Sequence, residues 1–516
     1  MQDTTVIIVG GGPVGLVAAL ECAYFGVPAL LVERHSGTTK HPKARNLNTR
    51  TMEIMRRLGL ASALANVGLP QAWTRQIVYT ESLAGAELGR MTTSGFSGIG
   101  ASLSPARPVL SSQDVFEPIW RAAAEQAPQV QMRFGHEAEV LEIDDEQVIV
   151  HLDGPNGGSW RGRYLLAADG AGSPLRQRFG ISSEGRENLA HFINVYYRLH
   201  LDAYVAQRPA VLYFTAAEGG RGVFQPLDGK ARWLSQIAHD GDPRHRNADF
   251  CHEWIRRAVG DPLVRPEILG IEQWTMNATV AEAYRAGPVF LVGDAAHQLP
   301  PTGGFGLNTG IQDVHNLVWK LAYVWHGLAA PELLDSYESE RRPVAEFNAE
   351  QALANSRSVA DIQRSMHRGA SAAVQRSHRY GNFQGLELGF SYRSGAVVAD
   401  GTPPPSVTDV VADYQPIARP GHRLPHLWLD AQSSLLDRVE QRLLLVACAP
   451  QWLGAAAARG LAVQLLPSDE VTLQLLGISK DGAVLVRPDG HVAARVAAAP
   501  ASYDDMLAEL LVELLG

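Results

Sequence analysis

Asp294 stands in the stretch Val292-Gly-Asp-Ala-Ala-His-Gln-Leu-Pro-Pro-Thr-Gly-Gly-Phe-Gly-Leu-Asn-Thr-Gly310, after the apolar run Val289 to Val292. A carboxylate at the end of a strand can accept hydrogen bonds from a chain of sugar-like hydroxyls. Pro300, Pro301, Gly304 and Gly306 follow it. Glycine there removes the side chain that would keep a flat ring away from the backbone. A helix is expected to open near Leu307-Asn308 and to run amphipathically from about Ile311. Its free N–H groups and partial positive charge would point at whatever precedes it. An acid for hydroxyls, a loop for a ring and a positive helix mouth together suit a flavin. The reduced flavin carries negative charge on its pyrimidine side, where the helix would stabilise it.

These groups need strands to present them, and the N-terminus supplies a matching unit. Val6 to Val9 is a β-branched run of the kind found in buried parallel strands. It leads into Gly10-Gly-Gly12-Pro13-Val14-Gly15, which fits G-x-G-x-x-G. Helical sequence follows to about Phe25, a second strand runs from Pro28 to Val32, and Glu33 then Arg34 end it. Gly10 permits the tight turn, Gly12 lets backbone reach a pyrophosphate, and Gly15 lets helix pack on strand. Glu33 would hold the adenosine ribose hydroxyls. Pro13, Val14 and Arg34 complete this cofactor-binding set. A third signal lies between the other two: Tyr164-Leu-Leu-Ala-Ala168 runs into Asp169-Gly170. That pair alone reads as a plain turn; its position between the other segments makes it informative.

The three motifs, in this order, resemble the FAD-dependent aromatic hydroxylases of the p-hydroxybenzoate hydroxylase type, over about residues 4 to 400. The resemblance implies an ADP-binding role for Gly10, Gly12, Gly15 and Glu33, and contact with both FAD and the nicotinamide nucleotide for Asp169. It implies ribityl contact for Asp294, and places Pro300, Pro301, Gly304, Leu307 and Asn308 beside the flavin ring. His41-Pro-Lys-Ala-Arg45 looks like the family segment whose arginine approaches the FAD pyrophosphate. Ser111 to Glu117 looks like the one whose glutamine, here Gln113, meets the ribityl chain. The activity implied is monooxygenation. NADPH or NADH reduces FAD, O2 gives a flavin C4a-hydroperoxide, and one oxygen atom passes to an electron-rich phenolic or polyketide ring. Baeyer–Villiger insertion and epoxidation on the same fold stay open, as does a flavin-binding protein that sequesters a ligand without turnover.

No motif marks a substrate base. Tyr196, Tyr213, Gln225, Gln236 and His239 are candidates, with Tyr213 and Gln225 taken first; glutamine could only orient a hydroxyl. His297 reads as a structural hydrogen-bonding residue, and Trp319 and Trp325 as packing.

The expected fold is α/β. A Rossmann-like FAD-binding domain of the GR2 type is assembled from residues 1–74, 104–180 and 276–395. An antiparallel-sheet substrate domain takes 75–103 and 181–275. Its strands are expected at Arg75 to Thr80, Phe192 to Leu201, Ala210 to Phe214, Gly222 to Pro226 and Arg232 to Ala238. After Gly401-Thr-Pro-Pro-Pro405, residues 401–516 resemble the thioredoxin-like C-terminal domain of phenol and polyketide hydroxylases. Cys448 stands there without a partner for a CxxC site. The 516 residues suffice for two or three domains. A net charge of −9 argues against nucleic-acid partners. Three scattered cysteines show neither metal-ligand spacing nor a disulfide framework. The first strand begins by Thr5, leaving no room for a signal peptide, and the apolar region from Val14 to Val32 is broken by Glu21, Gly26 and Pro28. The expectation is a cytoplasmic enzyme without integral membrane association, with a homodimer left open.

Overall fold

Four short runs of β-branched and aliphatic residues form the centre of a six-stranded sheet. In order across it lie Arg285–Ala286, Val289–Leu291, Tyr164–Ala167, Val6–Val9, Ala29–Glu33 and Val130–Phe134. All neighbours are parallel except the first pair. Residues on both sides of these strands are buried, so the alternation of a half-exposed strand is absent. The computed structural model describes residues 1–98, 100, 102–144, 146–239, 247–365, 374 and 378–516.

A second sheet of eight strands stands beside the first. Its order is His297–Gln298, Glu267–Ala281, Ser183–Arg198, Arg232–His239, Gly222–Pro226, Leu212–Thr215, Gln76–Thr80 and Glu87–Thr92. Its pairings are antiparallel except that of Leu212–Thr215 with Gln76–Thr80, which is parallel. The 15-residue Glu267–Ala281 strand was not expected, and its partner begins at Ser183 rather than at Phe192. A further sheet of Gln2–Asp3, Gly158–Gly162, Val148–Leu152 and Ala138–Ile143 was also unforeseen.

Residues of the C-terminal part form a sheet ordered Ala462–Leu465, Leu444–Ala447, Ala483–Val486 and Val492–Val496, followed by the Tyr503–Leu515 helix. The first two strands are parallel and the remaining pairings antiparallel. Leu507, Leu510 and Leu514 pack into the same apolar core as the six-stranded sheet.

The helix after the Pro/Gly loop differs from expectation. It runs Phe305–Trp325, two residues earlier than Leu307, and it is buried from Asn308 through Val324 rather than amphipathic. Gly303 (φ 111°) and Gly304 (φ 69°) adopt left-handed backbone, which ends the loop and sets the helix start at Phe305.

Candidate cofactor and active site

The acidic and glycine motifs meet because they follow neighbouring parallel strands at the same end. Gly10 N donates to Val32 O (2.8 Å), Ala168 N to Val9 O (2.9 Å) and Val292 N to Ala167 O (3.1 Å). Glu33, Gly10, Asp169 and Asp294 therefore stand in a row along the carboxyl edge of the sheet, where open α/β sheets bind ligands. The motifs also interlock. A methyl on Gly10 would lie 2.2 Å from Ala168 O, and one on Gly15 1.9 Å from Gly10 O. Val14 is the wedge between the first and last motifs: its Cγ2 would be 2.9 Å from a methyl on Gly293 and 2.7 Å from one on Gly310.

The acids are held differently. Glu33 Oε2 accepts from Gly11 N (2.7 Å) and Oε1 from His35 N (2.8 Å), so its carboxylate lies against the glycine turn. Asp169 accepts from Ser173 Oγ (2.6 Å) and Leu175 N (3.0 Å), and serves the turn that it begins. Arg176 Nη1 reaches Ala295 O (2.9 Å), tying that turn to the Asp294 loop. Asp294 is exposed although Gly293, Ala295 and Ala296 beside it are buried. The surrounding protein raises its carboxyl above the usual range, with His297 and Lys43 opposing. Asp294 is thus an accessible acceptor at the edge of the sheet.

His297 does not share that exposure. Its Nε2 pairs with Asp313 Oδ2 (2.7 Å), and both side chains are fully buried. Gly293 N donates to the same oxygen (3.1 Å), and Arg341 Nε binds Asp313 Oδ1 (2.9 Å). Burial pushes the Asp313 carboxyl up, but His297 and Arg341 outweigh it and hold it below the usual range. The sequence reading missed Asp313 and Arg341. No sequence signal set them apart: Asp313 stands among Gln312, His315 and Asn316, and Arg341 between Glu340 and Arg342.

Three expected cofactor residues have other partners. Arg45 turns to the eight-stranded sheet: Nε donates to Gln225 Oε1 (2.8 Å), Nη1 to Pro226 O (3.2 Å) and Nη2 to Val211 O (2.7 Å). All three acceptors are neutral, and burial lowers the Arg45 pKa to about 10. Gln113 is buried between Ala44 N (3.2 Å) and Glu117 Oε2 (2.7 Å). Asn308 accepts from Asn48 N (2.9 Å) and Thr51 Oγ1 (2.7 Å), and donates to Asn46 O and Gly304 O. Its side chain fixes the helix mouth to the segment after Arg45. Pro301 is exposed, and Gly304, Gly306 and Leu307 are partly exposed along the loop. Pro13 and Val14 are partly exposed at the glycine turn, and Arg34 is exposed beyond Glu33.

The eight-stranded sheet sorts the substrate candidates by face. Register places Glu272, Asn194, Gln236, Val223, Phe214 and Tyr79 in one transverse row. Phe214 and Tyr79 pack with Phe305 and Phe383, so this is the face turned to the loop and helix mouth. Phe192 stacks on Trp274 (4.8 Å between centroids, 20° between planes), and Trp274 Nε1 donates to Asn194 Oδ1 (3.0 Å). Phe192, Asn194, Gln236, Gln225 and Trp274 are partly exposed there. Tyr196 OH accepts from Arg232 Nε (2.9 Å), and His239 ends its strand.

Tyr213 is corrected by this register. It lies on the opposite face, buried with Trp233, Phe224 and Trp254. Its hydroxyl donates to Arg208 O (2.9 Å) and accepts from Ala210 N (2.9 Å), and burial raises its pKa. It cannot reach a ligand beside the loop.

Residues 3–352 match the family model described as FAD binding domain, and residues 418–516 the one described as aromatic-ring hydroxylase, C-terminal. The chain belongs to the FAD-dependent aromatic-ring hydroxylases. An aklavinone 12-hydroxylase of Streptomyces peucetius is 36% identical, with 85% of this chain and 89% of that protein covered. A 4-methyl-5-nitrocatechol 5-monooxygenase of Burkholderia sp is 33% identical, with 96% and 94% covered. The flavin-dependent monooxygenase PieE, solved in complex with FAD and substrate, is 33% identical with a TM-score of 0.91, covering 99% of each chain.

The hydroxylase's own residues fit FAD. Space is open beside Gly12, where a methyl would meet no protein atom within 4 Å. Pyrophosphate has room there, under the first turn of the Pro13–Tyr24 helix. Asp294 offers an accessible acceptor in the same row of strand ends. No helix among the described residues is long and apolar enough to cross a membrane.

Proposed function

We propose that this hydroxylase binds FAD along the row Glu33, Gly10, Gly12, Asp169 and Asp294, and inserts one oxygen atom of O2 into a phenolic or polyketide ring at the expense of NADPH or NADH. The observation that carries this reading is the row of four strand-end motifs along one edge of the six-stranded sheet, at the same end as the loop that packs on the eight-stranded sheet. Bound FAD would supply the electron transfer and the activation of O2. The protein supplies binding, orientation and a dry surface.

Glu33 and Asp294 are the acceptors for the hydroxyl-bearing parts of the cofactor. The Phe305–Trp325 helix directs its first-turn N–H groups at the loop, where they stabilise negative charge. Arg45 has only neutral partners, so its guanidinium is free to pair with a phosphate or an anionic substrate group without breaking an ion pair. Substrate lies between the loop and the inner face of the eight-stranded sheet. The apolar end of that face, at Phe214 and Tyr79, excludes water. At the other end Gln225, Gln236 and Asn194 are amides, which orient oxygen substituents but take no proton. The stacked Phe192 and Trp274 offer a flat wall to an extended ring system. An aklavinone hydroxylase and a nitrocatechol monooxygenase among the relatives support an electron-rich aromatic substrate.

The test is anaerobic reduction of the purified yellow protein by NADPH and by NADH, with a panel of phenols and fused-ring polyketides, followed by product mass. Acceleration by a ligand, and a product heavier by one oxygen atom, are expected. A yellow protein that binds such ligands but neither reduces faster nor oxygenates them is a ligand-sequestering flavoprotein.

A further inference from the structure

The turn between the last two strands of the C-terminal sheet does not face solvent. Arg487, Asp489, Gly490 and His491 are buried against the helices that carry the cofactor motifs. Asp489 O accepts from Arg50 Nη2 (2.5 Å) and lies 3.2 Å from His315 Nε2, while Pro488 O accepts from Arg57 Nη1 (2.6 Å). Arg487 grips Glu340 with both terminal nitrogens (Nη1 to Oε1 2.5 Å, Nη2 to Oε2 2.8 Å). Lys320 Nζ (2.8 Å) and Asn316 Nδ2 (2.6 Å), both on the Phe305–Trp325 helix, donate to the same carboxylate.

Glu340 is followed in its helix by Arg341. The Arg341 guanidinium receives its geometry from two directions. Nη1 donates to Tyr392 OH (3.1 Å), and Nε to Asp313 (2.9 Å). The Tyr392 ring lies 5.2 Å from the Arg487 guanidinium and 4.2 Å from the His491 ring. Asp313 in turn holds Gly293 N and His297. Arg487 with Glu340, and Tyr392 with Arg341 and Asp313, thus form two buried hydrogen-bonded groups, joined by the Tyr392 ring against the Arg487 guanidinium and by the Glu340–Arg341 peptide bond. Together they make a path from the C-terminal turn to the backbone beside Asp294. Apolar side chains would join the two parts more simply, because a buried ion pair stabilises little over a well-packed apolar contact. What charge pairs and bidentate bonds add is fixed geometry.

We infer that the Arg487–His491 turn of the C-terminal part is a positioning element of the FAD site, which sets the Gly293–Asp294 turn through Glu340, Tyr392, Arg341 and Asp313. The inference rests on the reading that Asp294 meets the cofactor. The C-terminal part then does more than cover the core. Its turn completes the back of the site from outside the family's FAD-binding segment.

The experiment titrates apoprotein with FAD by flavin fluorescence, and records the absorption spectrum of the bound flavin and the melting temperature of the apoprotein. Tyr392→Phe removes one hydroxyl from the path and leaves the charges in place. It is expected to weaken FAD binding about three- to tenfold, the size of one lost hydrogen bond, and to shift the flavin band. Arg487→Met, which opens the Glu340 grip, is expected to weaken FAD binding by roughly ten- to a hundredfold. Arg487→Lys is expected to fall between it and the native protein. Leu476→Ala is the control: Leu476 is buried on the far side of the C-terminal sheet. It should lower the melting temperature and leave FAD affinity and spectrum unchanged. Native affinity and spectrum in both Tyr392→Phe and Arg487→Met overturn the inference, whatever happens to melting. If Arg487→Met yields no folded protein, Tyr392→Phe decides. Failure of the native protein to take up FAD would instead sink the underlying reading.

Discussion

Gly15 and Gly10 touch so closely that a methyl on the first would lie 1.9 Å from the carbonyl oxygen of the second, whereas a methyl on Gly12 between them would meet nothing within 4 Å. The two glycines on either side of Pro13-Val14 therefore answer to different constraints. Gly15 makes room for the protein's own backbone. Gly12 leaves room that the protein does not use. Gly15→Ala is expected to destabilise the fold by about 1–3 kcal/mol or more through overpacking. Gly12→Ala should stay within about 1 kcal/mol, since its φ of −71° suits any residue. It should nevertheless weaken FAD binding by about tenfold or more, equivalent to roughly 1.4 kcal/mol. Chemical denaturation and FAD titration of the two variants separate these effects; equal loss of stability in both would refute the distinction.

Asp294 is exposed, so its removal should hardly change the apoprotein. Asp294→Ala is expected to shift stability by no more than about 0.5 kcal/mol. FAD affinity should fall by about 1.5–3 kcal/mol, the worth of a charge-assisted hydrogen bond. Asp294→Asn keeps an acceptor and should lose less. Unaltered affinity in Asp294→Ala would remove this residue from the cofactor site.

The opposite faces of the eight-stranded sheet give a paired prediction. Tyr213→Phe leaves Arg208 O and Ala210 N without their partner and should cost about 1–3 kcal/mol of stability, with KM for the aromatic substrate unchanged. Gln236→Ala, on the inner face, should raise that KM about two- to tenfold for one lost hydrogen bond and leave stability near native. A large rise in KM with Tyr213→Phe and none with Gln236→Ala would reverse the assignment of faces.

Glu387 makes the fold sensitive to alkali. Burial lifts its pKa to about 8, with Thr49 opposing. An acid whose folded pKa is raised binds its proton more tightly when folded. Its penalty is absent below the unfolded value near 4.3 and grows as pH rises towards 8. Melting temperature should therefore decline from about pH 5 to pH 8. Glu387→Gln, which cannot ionise, should flatten that decline. A variant that melts with the native pH profile would show that Glu387 is not its source.

Much of the cofactor site could be read without coordinates. Parallel strands buried on both faces are short, continuous apolar runs, and each of them here ends in a glycine or an acid. Strand–Gly10, strand–Asp169 and strand–Asp294 are therefore visible as boundaries. The Phe305–Trp325 helix was harder. Asp313, His315, Asn316 and Lys320 look like a solvated stripe in the sequence, yet all four are buried and matched to Arg341, Glu21, Glu340 and Asp489. Polar residues paired across 20 or more positions erase the apolar pattern that marks a core. The faces of the second sheet were illegible for another reason. Tyr213 and Phe214 are adjacent and both buried, and only strand register tells which of them looks toward the loop. The Glu267–Ala281 strand, with Trp274 in it, was lost because Glu267, Gly270, Glu272 and Gln273 interrupt its hydrophobic run.

The grip of Arg487 on Glu340 is also among the last of these contacts to become possible as the chain is synthesised. Translation proceeds at about 5–20 residues per second, and amino-terminal parts fold first. The glycine turn and all three acidic strand ends lie ahead of Glu340, and its guanidinium partner follows 147 positions later. Before Arg487 is made, the Glu340 carboxylate has Lys320, Asn316 and then Ser394 as its donors. If the Arg487–His491 turn positions the site, a vitamin-derived cofactor arriving earlier would meet a receptacle still short of one contact.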